Sequence, residues 1–274
     1  MANNKPIIVP WDFSILSEYA LQHATIISKR IDADIVLAHI VKSKKEISEA
    51  TVKFETLTVE LGKKFGVKPD FVIRDGSIFE AISAIIEEQD ASFAVMGTHG
   101  IKGMQKFTGS WALKVIIGSK APFIVVQEPP RTQEIFKEIA FPVGFEHTDK
   151  EKLIWASFMS KFTKATFHLC YLNYSDEVMR KKAQTNVIFA QKYLQDKEID
   201  FKVVKLEGKN LADETLAYSN NAKVDLLLVS TTKNIRFQDY LLGADEQKII
   251  ANPSKFPVMV VNPRTDLTKV GGIN

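Results

Sequence analysis

Two stretches of this chain repeat each other's landmarks at a nearly fixed interval, and that repeat limits the fold more than any single motif does. Ile7-Ile8-Val9-Pro10-Trp11-Asp12-Phe13 is echoed by Ile139-Ala140-Phe141-Pro142-Val143-Gly144-Phe145, with the prolines 132 residues apart. Ala33 to His39 and Ala165 to Tyr171 keep the same separation, as do Gly76 and Gly208. The closing runs Pro122 to Val126 and Pro257 to Val261 are offset by 135. Landmarks in one order at one spacing imply two copies of one fold within 274 residues.

Inside each copy, short β-rich apolar runs alternate with helix-like stretches, the pattern of βαβ units in a mainly parallel sheet. The first copy predicts a strand ending near Pro10 and a helix opened by Ser14 or Ser17, with Tyr19, Ala20, Ala24 and Ile27 inward. A strand over 34–41 follows, apolar enough for cover on both faces, and then a polar helix over 44–65. Strands over 71–73, 93–96 and 123–126 and helices over 78–88 and 110–117 complete the copy, with Ile78, Ala81, Ile82 and Ile85 as the inner stripe of the third helix. The fold class is α/β: two tandem flavodoxin-like (Rossmann-like) doubly wound parallel-sheet domains. Residues 1–130 and 136–264 form the domains, 265–274 a flexible tail, and Glu128-Pro129-Pro130-Arg131-Thr132-Gln133 a linker short enough to keep the halves in contact.

Composition excludes several classes of function. The 36 Lys and Arg are interspersed with 33 Asp and Glu, for a net charge of +3, which leaves no basic footprint for nucleic acid. The first apolar run stops at Pro10, too short for a signal peptide, and no run approaches the ~18 apolar residues of a membrane span. Cys170, the single cysteine, lies in an apolar run and reads as a buried structural thiol. The expectation is a cytoplasmic protein with no nucleic-acid or membrane partner.

The chemistry concentrates after the fourth strand. Gly97-Thr98-His99-Gly100 is followed, after eight intervening residues, by Gly109-Ser110 at the mouth of a helix-like run. Glycines there let backbone amides approach an anion and accept positive φ, and the amides and hydroxyl at Ser110, with the amide of Trp111, suit phosphate at a helix N-terminus. Topology brings this segment to Asp12, whose carboxylate can accept hydrogen bonds from ribose hydroxyls, and to the end of strand two, where Ile40 can line a flat base. A tight turn at Gly97 and Gly100 and a helix cap at Asp12 account for the same residues. His39 and His99 lack a third histidine at metal-ligand spacing, Ser110 lacks a triad, and no Gly-Lys-Ser/Thr makes this a P-loop.

On Val9-Pro10-Trp11-Asp12-Phe13-Ser14, Met96 to Gly100, Gly109-Ser110 and Ser119 to Val126, the chain resembles the universal stress protein family in its tandem form. The resemblance implies ATP, with Mg²⁺ as an optional companion, bound through Asp12, Ile40, Gly97, Gly100, Gly109, Ser110 and Trp111. The family's ATP-binding branch has nine residues between its second and third glycines; here there are eight. Family members dimerise through their last strands, so the resemblance also implies that 123–126 pairs antiparallel with 258–261 in an intramolecular pseudo-dimer, with protein partners or a homo-oligomer beyond it.

The second copy keeps the family's loop length but not its residues: Ser230-Thr231-Thr232-Lys233 and Gly243-Ala244 replace the glycine pattern, Gly144 stands for Asp12 and Tyr171 for His39. Glu146 and Asp245 add negative charge at its mouth. The expected function is adenine-nucleotide binding in a stress response by the first domain, with hydrolysis at most slow. The alternative is a stress-response scaffold that binds no nucleotide and acts through protein contacts.

Overall fold

The computed structural model describes residues 5–98, 115–116, 118–119, 121–145, 149–233, 240–241 and 244–262. The first half runs β1 (Ile7–Pro10), α1 (Ile15–Ile31), β2 (Ile35–Val41), α2 (Ile47–Phe65), β3 (Asp70–Asp75), α3 (Ile78–Glu88), β4 (Phe93–Gly97) and β5 (Phe123–Val126). The second half repeats this plan as β6 (Glu138–Pro142), α4 (Asp149–Ser160), β7 (Thr166–Leu172), α5 (Glu177–Asp196), β8 (Phe201–Leu206), α6 (Leu211–Asn221) and β9 (Leu226–Ser230). A short antiparallel ribbon, β10 (Thr232–Lys233) with β11 (Tyr240–Leu241), precedes α7 (Ala244–Ile250) and β12 (Val258–Val261).

Local signals set the element ends. The Ser14 hydroxyl accepts the Ser17 amide at 3.3 Å to open α1, and Asp32, left-handed at φ 54°, closes it by returning its N–H to Ser28. Gly76, the turn glycine between β3 and α3, holds φ 120°, open to glycine and strained for other residues. One expected stripe shifts: Ile78, the first residue of α3, is exposed, and Ile86 joins Ala81, Ile82 and Ile85 in the core instead. The predicted helix over 110–117 falls largely outside the described residues, although Val115 and Ile116 are helical and buried. The predicted tail over 265–274 lies outside them entirely.

All ten long strands form one sheet, in the order β3-β2-β1-β4-β5-β12-β9-β6-β7-β8. Every pairing is parallel except the central one, where Phe123, Ile124 and Val125 face Val260, Met259 and Val258. The seam is thus the antiparallel pairing implied by the family resemblance, and it removes two exposed sheet edges. Side chains alternate across the sheet: Ile7 and Val9 join an apolar layer that continues through Ile124, Met259 and Phe141, while Ile8 joins a second layer through Phe123, Val258 and Ala140. Both layers cross the seam, so the halves share their cores. Buried Asn262 locks the same seam, accepting from the Thr231 hydroxyl at 2.7 Å and donating to the carbonyls of Ile116 and Ser119.

Candidate functional site

In the first half, β1 lies between β2 and β4; the chain leaves β1 for β2 and β3 on one side and returns to β4 and β5 on the other. The carboxyl ends of β1 and β4 therefore flank the switch point of the sheet, where ligands bind open α/β folds. Asp12 and Gly97 arrive there on adjacent strands, with Ile40 at the end of the next.

Asp12 is exposed, and one of its oxygens is already committed: Oδ1 accepts the Ser14 amide and the Ser17 hydroxyl, each at 3.0 Å. Partial burial pushes the carboxyl up, but the bonds from Ser14 and Ser17 outweigh it and hold the group below the ordinary aspartate range. Asp12 is therefore an ionised acceptor at neutral pH. The cap of α1 is Ser14, with Asp12 bracing it from outside the helix.

The loop around Asp12 is stapled to β2. The Trp11 amide donates to Ala38 at 2.9 Å, and His39 Nδ1 donates back to the Trp11 carbonyl at 2.7 Å. Next in sequence, Phe13 takes a left-handed conformation, φ 63°, costly for a bulky residue. Its ring is 51% exposed, yet it stands edge-on to His39 at 5.2 Å and to Phe54 of α2 at 5.4 Å. In the sequence Phe13 stands out only as part of the run Val9 to Ser14 that carries the family resemblance, with no role of its own.

Gly97 has a different physical reason from the one expected. It is a strand residue, absent from the positive-φ glycines among the described residues, and a Cβ added to it would lie 2.2 Å from the Leu16 carbonyl oxygen. The glycine is needed so that the first turn of α1 can close on the end of β4. Ile40 is half-buried, packed against the layer that contains Val36 and Ala38. Two buried polar atoms on the residues leaving β1 and β4, Trp11 Nε1 and Thr98 Oγ1, have no hydrogen-bond partner among the described residues. Gly100, Gly109, Ser110 and Trp111 lie outside the described residues.

The corresponding crevice of the second half is built differently. Gly144 gives up its carbonyl to Asn186 of α5 at 2.9 Å, and Phe145 turns to Tyr174, with ring centroids 5.4 Å apart. Lys152 occupies the position of Ala20. Its ammonium is buried, 2.5 Å from the Pro142 carbonyl and 4.7 Å from the Phe141 ring centre. After β9, where the first half carries its glycine segment, the backbone pairs Thr232 with Leu241 and Lys233 with Tyr240. The side chains of Glu146 and Asp245 lie outside the described residues.

A model of the universal stress protein family matches residues 3–127. The first half of the chain therefore carries a universal stress protein domain. Universal stress protein MJ0531 of Methanocaldococcus jannaschii is 28% identical over 147 residues, which cover 46% of this chain and 84% of that protein. A solved universal stress protein from Archaeoglobus fulgidus superposes with a TM-score of 0.74 at 18% identity, covering 95% of this chain and 97% of the other, which shows that the tandem fold extends over both halves. A second universal stress protein of the same organism, solved in complex with dAMP, covers 46% of this chain at 21% identity and a TM-score of 0.38. Among the described residues of this chain there is no group of metal-ligating side chains and no helix long and apolar enough to cross a membrane. Burial pushes the Cys170 thiol up to about 12, as befits a structural cysteine.

Proposed function

We propose that the first half, residues 1–130, binds an adenine nucleotide at the switch point and that the second, residues 136–264, serves as its structural and regulatory partner. The observation that carries this is Asp12: an ionised, exposed carboxylate at the crevice, oriented by its hydrogen bonds from Ser14 and Ser17. Ribose offers the hydroxyl donors such a carboxylate takes. The unpartnered atoms of Trp11 and Thr98 add polar demand at the same strand ends, so the residues present fit an oxygen-rich ligand.

Ile40 would line the base, and Gly97, Gly100, Gly109, Ser110 and Trp111 would follow the phosphates as the family resemblance implies. ATP is the nucleotide proposed, with Mg²⁺ free to accompany its phosphates. Sensing is the proposed role, with hydrolysis at most slow, in a cytoplasmic stress response.

Calorimetric titration with ATP, ADP, AMP and GTP tests the proposal. Saturable ATP binding that disappears in a Gly100→Val, Ser110→Ala double variant is the expected result. No binding at millimolar ATP by folded protein would overturn it and favour the scaffold alternative.

A further inference from the structure

A cavity of about 360 Å³ lies where the linker crosses between the halves. Its walls come from three parts of the chain: α1, the linker over 128–136, and the turns of the second half at 220–225 and 255–257. Each wall is pinned. His23 of α1 donates Nε2 to the Glu128 carbonyl at 3.1 Å, and burial holds its imidazole neutral, down to about 4. Gln127 reaches the carbonyls of Ile250 and Asn252, both at 3.2 Å. Asn252, fully buried, accepts the Phe256 amide and donates to the Phe256 carbonyl, fixing the turn between them. Asp225 receives the Lys137 and Glu138 amides at 2.8 and 3.2 Å.

The lining separates into an apolar floor and a charged rim. Ile26, Ile27, Phe136, Phe256 and Pro257 supply the floor. Around the rim, Lys255 pairs with Glu128, Glu134 pairs with Lys137, and Asp225 is engaged by main-chain amides. Arg131 is held by one hydrogen bond, from Nη2 to the Ser254 carbonyl at 2.6 Å, with its guanidinium carbon 5.2 Å from the centre of the Phe256 ring. It makes no ion pair with an acid among the described residues, and the rest of its donor fork is available.

We infer that this seam cavity is a second ligand site, which takes a small apolar or aromatic monocarboxylate with its carboxylate on Arg131 and its body over Ile26, Ile27 and Phe256. A guanidinium fork matches a planar carboxylate. The three acids on the rim set the charge limit: one negative charge is offset by Arg131, whereas a phosphate ester or polyphosphate would face Glu128, Glu134 and Asp225 with exposed Lys223 as the one further free cation among the described lining residues. The volume lies in the range of ordinary small-molecule pockets. Because a ligand there touches α1, the linker and the second half together, it would stabilise the seam itself.

The test uses the full chain and 2-naphthoate as probe, with 2-naphthamide as its uncharged analogue. Calorimetry should give one saturable site for the acid with a dissociation constant at or below about 1 mM, and binding at least about tenfold weaker for the amide. Arg131→Gln should weaken the acid at least about tenfold. Ile26→Trp should abolish binding by filling the cavity, while a thermal melt matching the parent's verifies its fold. No saturable binding of the acid by folded protein, equal binding of the amide, or undiminished binding by either variant overturns the inference. ATP is absent throughout, so the outcome is independent of the first crevice.

Discussion

The two crevices share a backbone plan and differ in what fills it. At the first, an anion stands exposed beside the strand ends, an aromatic ring is held in a left-handed conformation next to it, and α1 closes on β4 through a glycine without a Cβ to spare. At the second, the carboxylate is gone, an amide side chain satisfies the loop carbonyl, a lysine is buried beneath it and a β-ribbon occupies the segment after β9. The second crevice is braced by its own side chains, whereas at the first Trp11 Nε1 and Thr98 Oγ1 find no hydrogen-bond partner among the described residues. Among the described residues the duplicated fold keeps its cores and seam, while the residues at the two sets of strand ends diverge.

The largest effect should come from the helix and strand packing that distinguishes the halves. Gly97→Ala places a methyl 2.2 Å from the Leu16 carbonyl and should cost about 3 kcal/mol of stability in urea unfolding. The corresponding change in the second half, Ser230→Ala, already has its Cβ accommodated and should stay within about 1 kcal/mol. Equal costs at the two positions would show that the close approach at Gly97 is not what separates the crevices.

The second contrast is one of titration. His23 of α1 corresponds to Trp155 of α4, so one half of the seam carries a buried ionisable ring and the other an inert one. Unfolded, the imidazole takes up a proton near 6.5; folded, it does so only at about 4. The unfolded chain binds the extra proton between those values, so His23 leaves stability intact above pH 6.5 and removes roughly 3 kcal/mol as pH falls to 4. Asp225 works in the opposite direction. Burial lifts its carboxyl to about 6, so its favourable contribution is complete below the ordinary value of 3.8 and is lost as pH rises through 6. The parent should therefore show a shallow acid profile, which becomes steeply destabilised toward pH 4 in Asp225→Asn and reversed in slope in His23→Phe. Unchanged profiles in both variants would remove these groups from the account.

Ligand binding should separate the crevices next. Asp12→Ala deletes the ionised acceptor and should weaken ATP at least about tenfold, consistent with hydrogen bonds to a charged group. Its stability should fall by only about 1 kcal/mol, since Ser14 still caps α1. Gly144→Asp in the second half should gain no ATP binding, because Asn186, Lys152 and the ribbon already fill or brace that mouth. A second binding event in that variant would show that the lost carboxylate alone closed the crevice.

The division between what could be read from residues and what could not follows from the same contrast. The doubly wound α/β class and the placement of Asp12 and Ile40 near the switch point were legible, because repeat spacing, β-rich runs and topology are properties of the chain in order, while the seam pairing followed from the family resemblance. The role of Gly97 was not. A glycine in sequence looks alike whether it serves a left-handed turn, an approaching phosphate or a helix packed against a strand, and only the position of Leu16 distinguishes them. Lys152 in an apolar helix face and the His23 contact to the linker carbonyl were equally hidden, since both depend on partners far along the chain or on a loop's path. The seam cavity exists only once three distant segments meet.

The smallest effect is the most direct test of whether the open crevice stores strain. Phe13 is left-handed, while Phe145, its counterpart, is not among the positive-φ residues. Phe13→Gly relieves about 1 to 2 kcal/mol of backbone cost and forfeits edge contacts with Trp11, His39 and Phe54, each worth about 0.5 to 1.5 kcal/mol at most and less on a ring that is half exposed. The two nearly cancel, so unfolding should change by no more than about 1 kcal/mol. Phe145→Gly loses its contact with Tyr174 and gains only chain entropy in the unfolded state, so it should be the more destabilising of the pair. If Phe13→Gly instead costs more than Phe145→Gly, the left-handed turn is held at no penalty, and the first crevice is distinguished by its unsatisfied polar groups alone.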